Sequence, residues 1–249
     1  MTAPRILLLP GMALNATIFP AFGAESFGPD FSDGPGGPGA GMGAYMDALD
    51  TFTNTPSWRD ATRRIVVGHS FGGMLALAWL LRHNGTGQPP IHGLVLISTT
   101  AGPMYDVAAV RLPPFRLPAK PLMPIWNSGI VSAATKLILG GGRTGTVDFQ
   151  QYRGRSELAV GIAGWRQTTV RGRRAYRAGM VGYDVRNRLQ EVNVPAIVLH
   201  GTHDTYFRVR EAQALATGLS AELRLLPGAR HVPPLSHPQA VRAAVAALS

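Results

Sequence analysis

The segment Gly68-His69-Ser70-Phe71-Gly72 sets a serine between two glycines, after the apolar run Ile65-Val66-Val67 and before the apolar stretch Met74 to Leu81. A sharp strand-to-helix turn strains the serine backbone, and the positions two before and two after it must be small because the two backbones approach closely there. Such a serine stands at the carboxyl end of a sheet and at a helix N-terminus, whose dipole favours developing negative charge. A hydroxyl is a weak nucleophile without a base. Two later segments supply the missing groups. Thr202-His203-Asp204 follows the run Ala196-Ile197-Val198-Leu199, which puts Asp204 on the same rim, and Leu226-Pro227-Gly228-Ala229-Arg230-His231 places a histidine just after a final strand. The chemistry implied is covalent acyl transfer: Ser70 attacks a carbonyl, His231 takes its proton, and Asp204 orients the imidazole. The oxyanion needs two donors. The backbone N–H of Phe71 is one, and that of Met12, in the Pro10-Gly11-Met12 loop after the first apolar run, is the other.

The remaining histidines fit other roles. His69 lies inside the serine turn and packs or hydrogen-bonds locally; His200 and His203 flank the acid loop; His237 precedes Pro238 and reads as a helix start. Asp184 and Asp106 are the reserves for the acid.

These residues require a scaffold that brings positions 70, 204 and 231 to one edge. The runs Arg5 to Leu9, Ile65 to Gly68, Leu94 to Ile97 and Ala196 to Leu199 carry apolar residues without alternation, as strands buried on both faces of a parallel sheet do. Leu223 to Leu226 is a weaker run of the same kind. Helical stretches cover Met74 to Leu81, Arg210 to Leu219 and Gln239 to Leu248. Strands alternating with helices predict an α/β fold with a mostly parallel central sheet and helices on both faces. Two segments interrupt the rhythm. Residues 20–44, with Gly34-Pro35-Gly36-Gly37-Pro38-Gly39, read as a long loop. Residues 101–180 are rich in proline and glycine and lack the buried-strand pattern, so they read as an insertion between core segments 1–100 and 181–249.

The 249 residues suit one domain carrying a large insertion. The absence of cysteine excludes disulfides, thiolate metal sites and cysteine nucleophiles. No apolar run is long enough to span a bilayer. The apolar start breaks at Pro10-Gly11 and reads as a buried strand rather than a signal sequence. A cytoplasmic protein without metal or organic cofactor is the expectation. The net charge of +10 is localised: residues 101–180 hold 12 of the 24 Lys and Arg but 3 of the 14 Asp and Glu, giving +9 there and +1 elsewhere. Charge confined to one segment, with no recognised nucleic-acid motif, speaks against nucleic acid and for an anionic ligand or surface near that segment.

Leu9-Pro10-Gly11, Gly68 to Gly73, Tyr183-Asp184-Val185-Arg186, His200-Gly201…Asp204 and Gly228-Ala229-Arg230-His231 occur in the order serine, acid, histidine. In this the chain resembles the α/β-hydrolase superfamily, in particular its small bacterial esterase, thioesterase and lactonase-like members, over nearly all of its length outside 20–56 and 101–180. The resemblance implies a helical lid inserted after the strand ending at Ile97. Two departures stand out. Relatives usually carry His-Gly where this chain has Pro10-Gly11, a change the backbone donor survives. They also carry an Asp-x-x-Gly-x-Gly-x-Ser stretch after a strand that precedes the serine strand. Here the region holds only Asp30-Phe31-Ser32-Asp33-Gly34, so that strand is short, displaced or missing.

The insertion also offers substrate contacts. Phe115 and Trp126 are apolar lining candidates. Arg171, Arg173 and Arg174 could hold an anionic handle such as coenzyme A or an acyl carrier protein. Ester or thioester hydrolysis is the leading reading. The same triad would also serve lactone hydrolysis or formation, or a lyase or cyclase step, and a non-catalytic ligand-binding protein is the alternative of another class.

Overall fold

Strands apolar on both faces are stable only in a sheet covered on both sides, and this arrangement is found in the computed structural model, which describes residues 4–36, 40–84, 90–104, 109–112, 115–118 and 146–249. The strands of the main sheet are β1 (Arg5–Leu9), β2 (Ser26–Phe27), β3 (Arg64–His69), β4 (Gly93–Ile97), β7 (Ala196–Gly201) and β8 (Glu222–Leu226). They lie in the order β2-β1-β3-β4-β7-β8, every pair parallel. A hairpin of β5 (Ala109–Leu112) and β6 (Phe115–Pro118) forms a separate antiparallel pair.

Alternate residues of each central strand feed opposite cores. Leu7, Leu9, Val66, Leu94, Leu96 and Val198 point to one side. Ile6, Leu8, Ile65, Val67, Val95 and Ile197 point to the other. The first core is covered by helices α1 (Met42–Thr53), α2 (Pro56–Arg59), α3 (Phe71–Arg82), α5 (Val170–Met180) and α6 (Val209–Gly218). The second is covered by α4 (Glu157–Gln167), α7 (Pro233–Ser236) and α8 (Pro238–Ala247). β8 is the edge strand, with Leu225 39% exposed, which accounts for its weaker apolar pattern. No helix among the described residues is long and apolar enough to cross a membrane.

The strand that the sequence leaves as short, displaced or missing is short, two residues long: β2 pairs with β1 through Ile6 and Leu7 at the sheet edge. The 20–44 segment is therefore interrupted by this strand and ends inside α1. Residues 42–59 carry no clear helical signal in the sequence, yet α1 buries Tyr45, Leu49 and Thr53, spaced four apart on one face. Between β4 and β7 the chain leaves the sheet. Besides the hairpin this excursion holds α4 and α5, each opened by a side-chain cap: Ser156 Oγ accepts from the Ala159 N–H at 3.3 Å, and Thr169 Oγ1 from the Gly172 N–H at 3.0 Å. Val160 and Ala163 of α4 pack into one core and Ala175 and Tyr176 of α5 into the other. The two helices thus follow both layers of the body rather than one.

The turn from β3 into α3 is a close crossing of backbones. Ser70 has φ 52° and ψ −119°, a conformation an L-residue adopts only when its surroundings enforce it. A side chain at Gly68 would sit 2.7 Å from the Gly73 Cα, and one at Gly72 would overlap the carbonyl oxygen of Leu9. Gly72→Ala is therefore expected to lower stability by about 3 kcal/mol, read as a fall in denaturation midpoint at unchanged m-value.

Candidate active site

Asp204 is positioned by its own loop. After β7 the chain turns so that the N–H groups of Tyr206 and Phe207 donate to Asp204 Oδ1 at 2.8 and 3.1 Å. That leaves Oδ2, which accepts from His231 Nδ1 at 2.9 Å. The carboxyl is almost fully buried. Burial would push its pKa up, but the His231 charge and hydrogen bond, His200 and the Phe207 N–H outweigh it and bring it to about 2. Asp204 is therefore a carboxylate at neutral pH.

His231 lies on the loop after β8, and each of its polar groups has a partner. Nδ1 faces Asp204, and Nε2 lies 3.0 Å from Ser70 Oγ. Its carbonyl oxygen accepts from His69 Nε2 at 2.8 Å, and its backbone N–H donates to Glu157 Oε1. The Tyr206 ring lies against the imidazole with centroids 4.4 Å apart. Burial pushes the imidazole pKa down. The charge and hydrogen bond of Asp204, with Glu157 behind them, outweigh it, and the net shift is upward.

His69 is fully buried. Burial and the neighbouring His231 charge push it down to about 3, so it is neutral. Facing a carbonyl oxygen, its Nε2 must carry the proton, and Nδ1 is left with a lone pair and no partner among the described residues. This is the local hydrogen-bonding role that the sequence suggested for His69. His200 is also fully buried, its Nε2 4.0 Å from Asp204 Oδ2. Asp184, the reserve acid, is paired with Arg186 at the surface; Asp106 lies outside the described residues.

Ser70 and His231 open onto a cavity lined by Met12, Phe71, Met74, Trp165, Met180 and Glu157, among others. Both oxyanion candidates, Met12 and Phe71, are on its wall, and neither backbone N–H has a partner among the described residues. Ser70 itself is braced: its N–H donates to the Ile97 carbonyl at 2.9 Å, and its carbonyl accepts from Thr99 Oγ1 at 2.7 Å. Among the described residues no group of three His, Asp or Glu side chains is placed to ligate a metal ion.

Arg171, Arg173 and Arg174 do not join this site. Arg173 is 2% exposed, with Nε donating to the Thr168 carbonyl at 3.1 Å and Nη2 to the Trp165 carbonyl at 2.6 Å, where it caps the end of α4. Arg171 reaches the Gly36 carbonyl and Arg174 is exposed; none of the three lines the cavity. The Trp126 side chain, and that of Phe115 beyond its place in β6, lie outside the described residues. The sequence reading missed Glu157, Tyr206 and Phe207. Glu157 carried one available signal, being one of three acids in a strongly basic segment.

Residues 6–244 match the family described as the alpha/beta hydrolase family. Among solved structures, the chain is similar to the enol-lactonase from Burkholderia xenovorans LB400, at 16% identity and a TM-score of 0.69, covering 100% of this chain and 92% of that one. It is similar to an esterase from Rhodococcus sp. ECU1013, at 18% identity and a TM-score of 0.67, covering 99% and 92%. A thermophilic esterase from Thermogutta terrifontis aligns at 19% identity and a TM-score of 0.66, covering 99% and 91%. A comparison with curated proteins finds no match.

The two adjacent arginines of α5 should separate on mutation. Arg173→Ala removes a buried guanidinium and leaves two helix-end carbonyls without their donor, which is expected to cost about 2–4 kcal/mol. Arg174→Ala, at an exposed position, should stay within ~0.5 kcal/mol; thermal denaturation of both variants checks the difference.

Proposed function

Because the chain belongs to the alpha/beta hydrolase family, we propose that this hydrolase cleaves carboxylic ester bonds by acyl-enzyme chemistry, with Ser70 as nucleophile, His231 as general base and Asp204 as the acid that orients it. The observation that carries the reading is the unbroken chain from Ser70 Oγ to His231 Nε2 at 3.0 Å and from His231 Nδ1 to Asp204 Oδ2 at 2.9 Å, opening on a cavity. Asp204, ionised and aimed by two backbone N–H groups, fixes the tautomer that leaves Nε2 free to accept the Ser70 proton.

In the first step Ser70 Oγ bonds to the substrate carbonyl carbon as its proton passes to His231 Nε2. The carbonyl oxygen becomes an oxyanion, which the N–H groups of Met12 and Phe71 receive. Collapse expels the alkoxide, which takes the proton from His231 and leaves as the alcohol. Water then attacks the acyl-enzyme with His231 again as base, releasing the carboxylic acid and restoring Ser70.

Small uncharged esters suit the cavity better than a substrate held by an anionic handle. Its described walls are largely apolar and contain no arginine, while Glu157 contributes a carboxylate. Thioesters with neutral leaving groups would follow the same path. Within this reading, residues 157–180 act as a lid, supported by Val160 and Trp165 of α4 and Met180 of α5 on the cavity wall.

The test is intact mass after exposure to a serine-directed fluorophosphonate. One adduct is expected on the wild type and none on Ser70→Ala, with hydrolysis of a nitrophenyl ester lowered ~10⁴-fold or more in the variant; a folded wild type that stays unlabelled overturns the reading. The pH dependence has a defined sign. His231 must be neutral to act as base, and its pKa lies above the ordinary histidine value of about 6.5. The acid limb of kcat/KM should therefore have its midpoint above ~6.5, activity falling as pH drops through it.

A further inference from the structure

Glu157 is the first residue of α4, where an acidic side chain ordinarily offsets the helix dipole beside its own N–H groups. Here that place is served by Ser156, whose hydroxyl caps the Ala159 N–H. The Glu157 carboxylate turns instead to another part of the chain. Oε1 accepts from the backbone N–H of His231 and, at 3.1 Å, from that of Val232. The opposite end of the His231 residue is held by His69, so its backbone is gripped from the serine turn on one side and from the insertion on the other. Glu157 also forms part of the cavity wall. A salt-forming role on the surface would pair it with one of the many arginines of its own segment, yet among the described residues its partners are the two N–H groups beside the imidazole.

We propose that Glu157 is a positioning residue for the reaction, holding the His231 backbone from the insertion and presenting a second negative charge to the imidazolium that forms during turnover. The inference rests on the serine-hydrolase reading of Ser70, His231 and Asp204. Its electrostatic part follows from the arrangement of charges about the imidazole. Asp204 and Tyr206 of the acid loop, Ser70 and His69 of the serine turn, His200 of β7 and Glu157 of α4 all face it. Of these, Asp204 and Glu157 are carboxyls, and both favour the protonated ring. Burial raises the pKa of Glu157 itself, against the pull of His231 and the two N–H donors.

Glu157→Gln keeps an oxygen that can accept both N–H groups and removes the charge; Glu157→Ala removes both. The decisive measurement is the NMR titration of the His231 ring in isotope-labelled full-length protein, assigned with His231→Asn, which requires no turnover. In Glu157→Gln the midpoint should fall by ~0.5 pH unit or more. The plateau rate of fluorophosphonate labelling at Ser70 should fall about 3-fold in Glu157→Gln, which loses only the charge, and ~10-fold or more in Glu157→Ala, which loses the grip on the backbone as well, with thermal denaturation showing both variants folded. An unchanged His231 midpoint in Glu157→Gln, or equal labelling losses in the two variants, overturns the proposal, and Glu157→Gln decides it alone if the alanine variant does not fold. Should the wild type fail to label at Ser70 at any pH, the serine reading and with it the reaction role of Glu157 fall together; a shifted midpoint alongside that failure would locate the fault in the serine and not in the charge at His231.

Discussion

The position of the His231 backbone is the constraint on which the rest of the site depends. An imidazole must lie within hydrogen-bond reach of a serine 161 residues away and an aspartate 27 residues away, and it stands on a loop, outside any strand ladder. A side chain on a free loop would lose most of that alignment to rotation and drift. Here the main chain is fastened before the ring is considered: the carbonyl to His69, the N–H to Glu157, with the Tyr206 ring laid against the imidazole. The remaining freedom is rotation of the side chain, and the two ring nitrogens are fixed by their partners.

Each fastening draws on a different layer. His69 ends β3, so its place follows from the central sheet and from the close crossing at Gly68 and Gly72. Asp204 follows β7, two strands along, and is aimed by the turn that its own side chain closes with Tyr206 and Phe207. Glu157 comes from the segment between β4 and β7. The histidine loop is thus held from two directions: by the loop after β7, through His203 N–H to the Ala229 carbonyl at 2.9 Å and Gly228 N–H to Thr202 Oγ1 at 2.9 Å, and by α4 through Glu157.

The charge of the insertion takes on a different meaning in this light. Its arginines include at least one that is a structural element: Arg173 is buried and ties the end of α4 to the start of α5 through two carbonyls. A buried guanidinium with backbone acceptors is held by hydrogen bonding and packing of its stem, and it presents little charge to a ligand. Among the described residues of the segment, Glu157 is on the cavity wall and Asp148 is exposed, while Arg153, Arg155, Arg166, Arg171 and Arg174 are exposed and Arg173 is buried at the helix junction. A count of charges along the chain gives the sum and hides this division.

The sequence by itself determined the parallel sheet, the serine turn and the order of serine, acid and histidine. Those features are written in local patterns: unbroken apolar runs between glycine and proline signals, and glycines flanking Ser70 where two backbones nearly touch. It also reads residues 101–180 as an insertion, from loss of the buried-strand pattern. What it did not carry was any feature depending on contacts between distant segments. The two-residue β2 is too short to leave a pattern and exists because β1 offers it an edge. Tyr206 and Phe207 act through backbone N–H groups that any residue could supply. Glu157 has no assigned role in the sequence until α4 is laid against the loop after β8, and Arg173 reads as a candidate for an anionic handle until the α4–α5 junction closes over it. Tertiary structure decided β2 and Glu157 because their pairing depends on neighbours tens of residues away in the chain, whereas the Asp204 and Arg173 contacts span 2–8 residues and depend on how one loop and one helix junction close, which composition does not reveal.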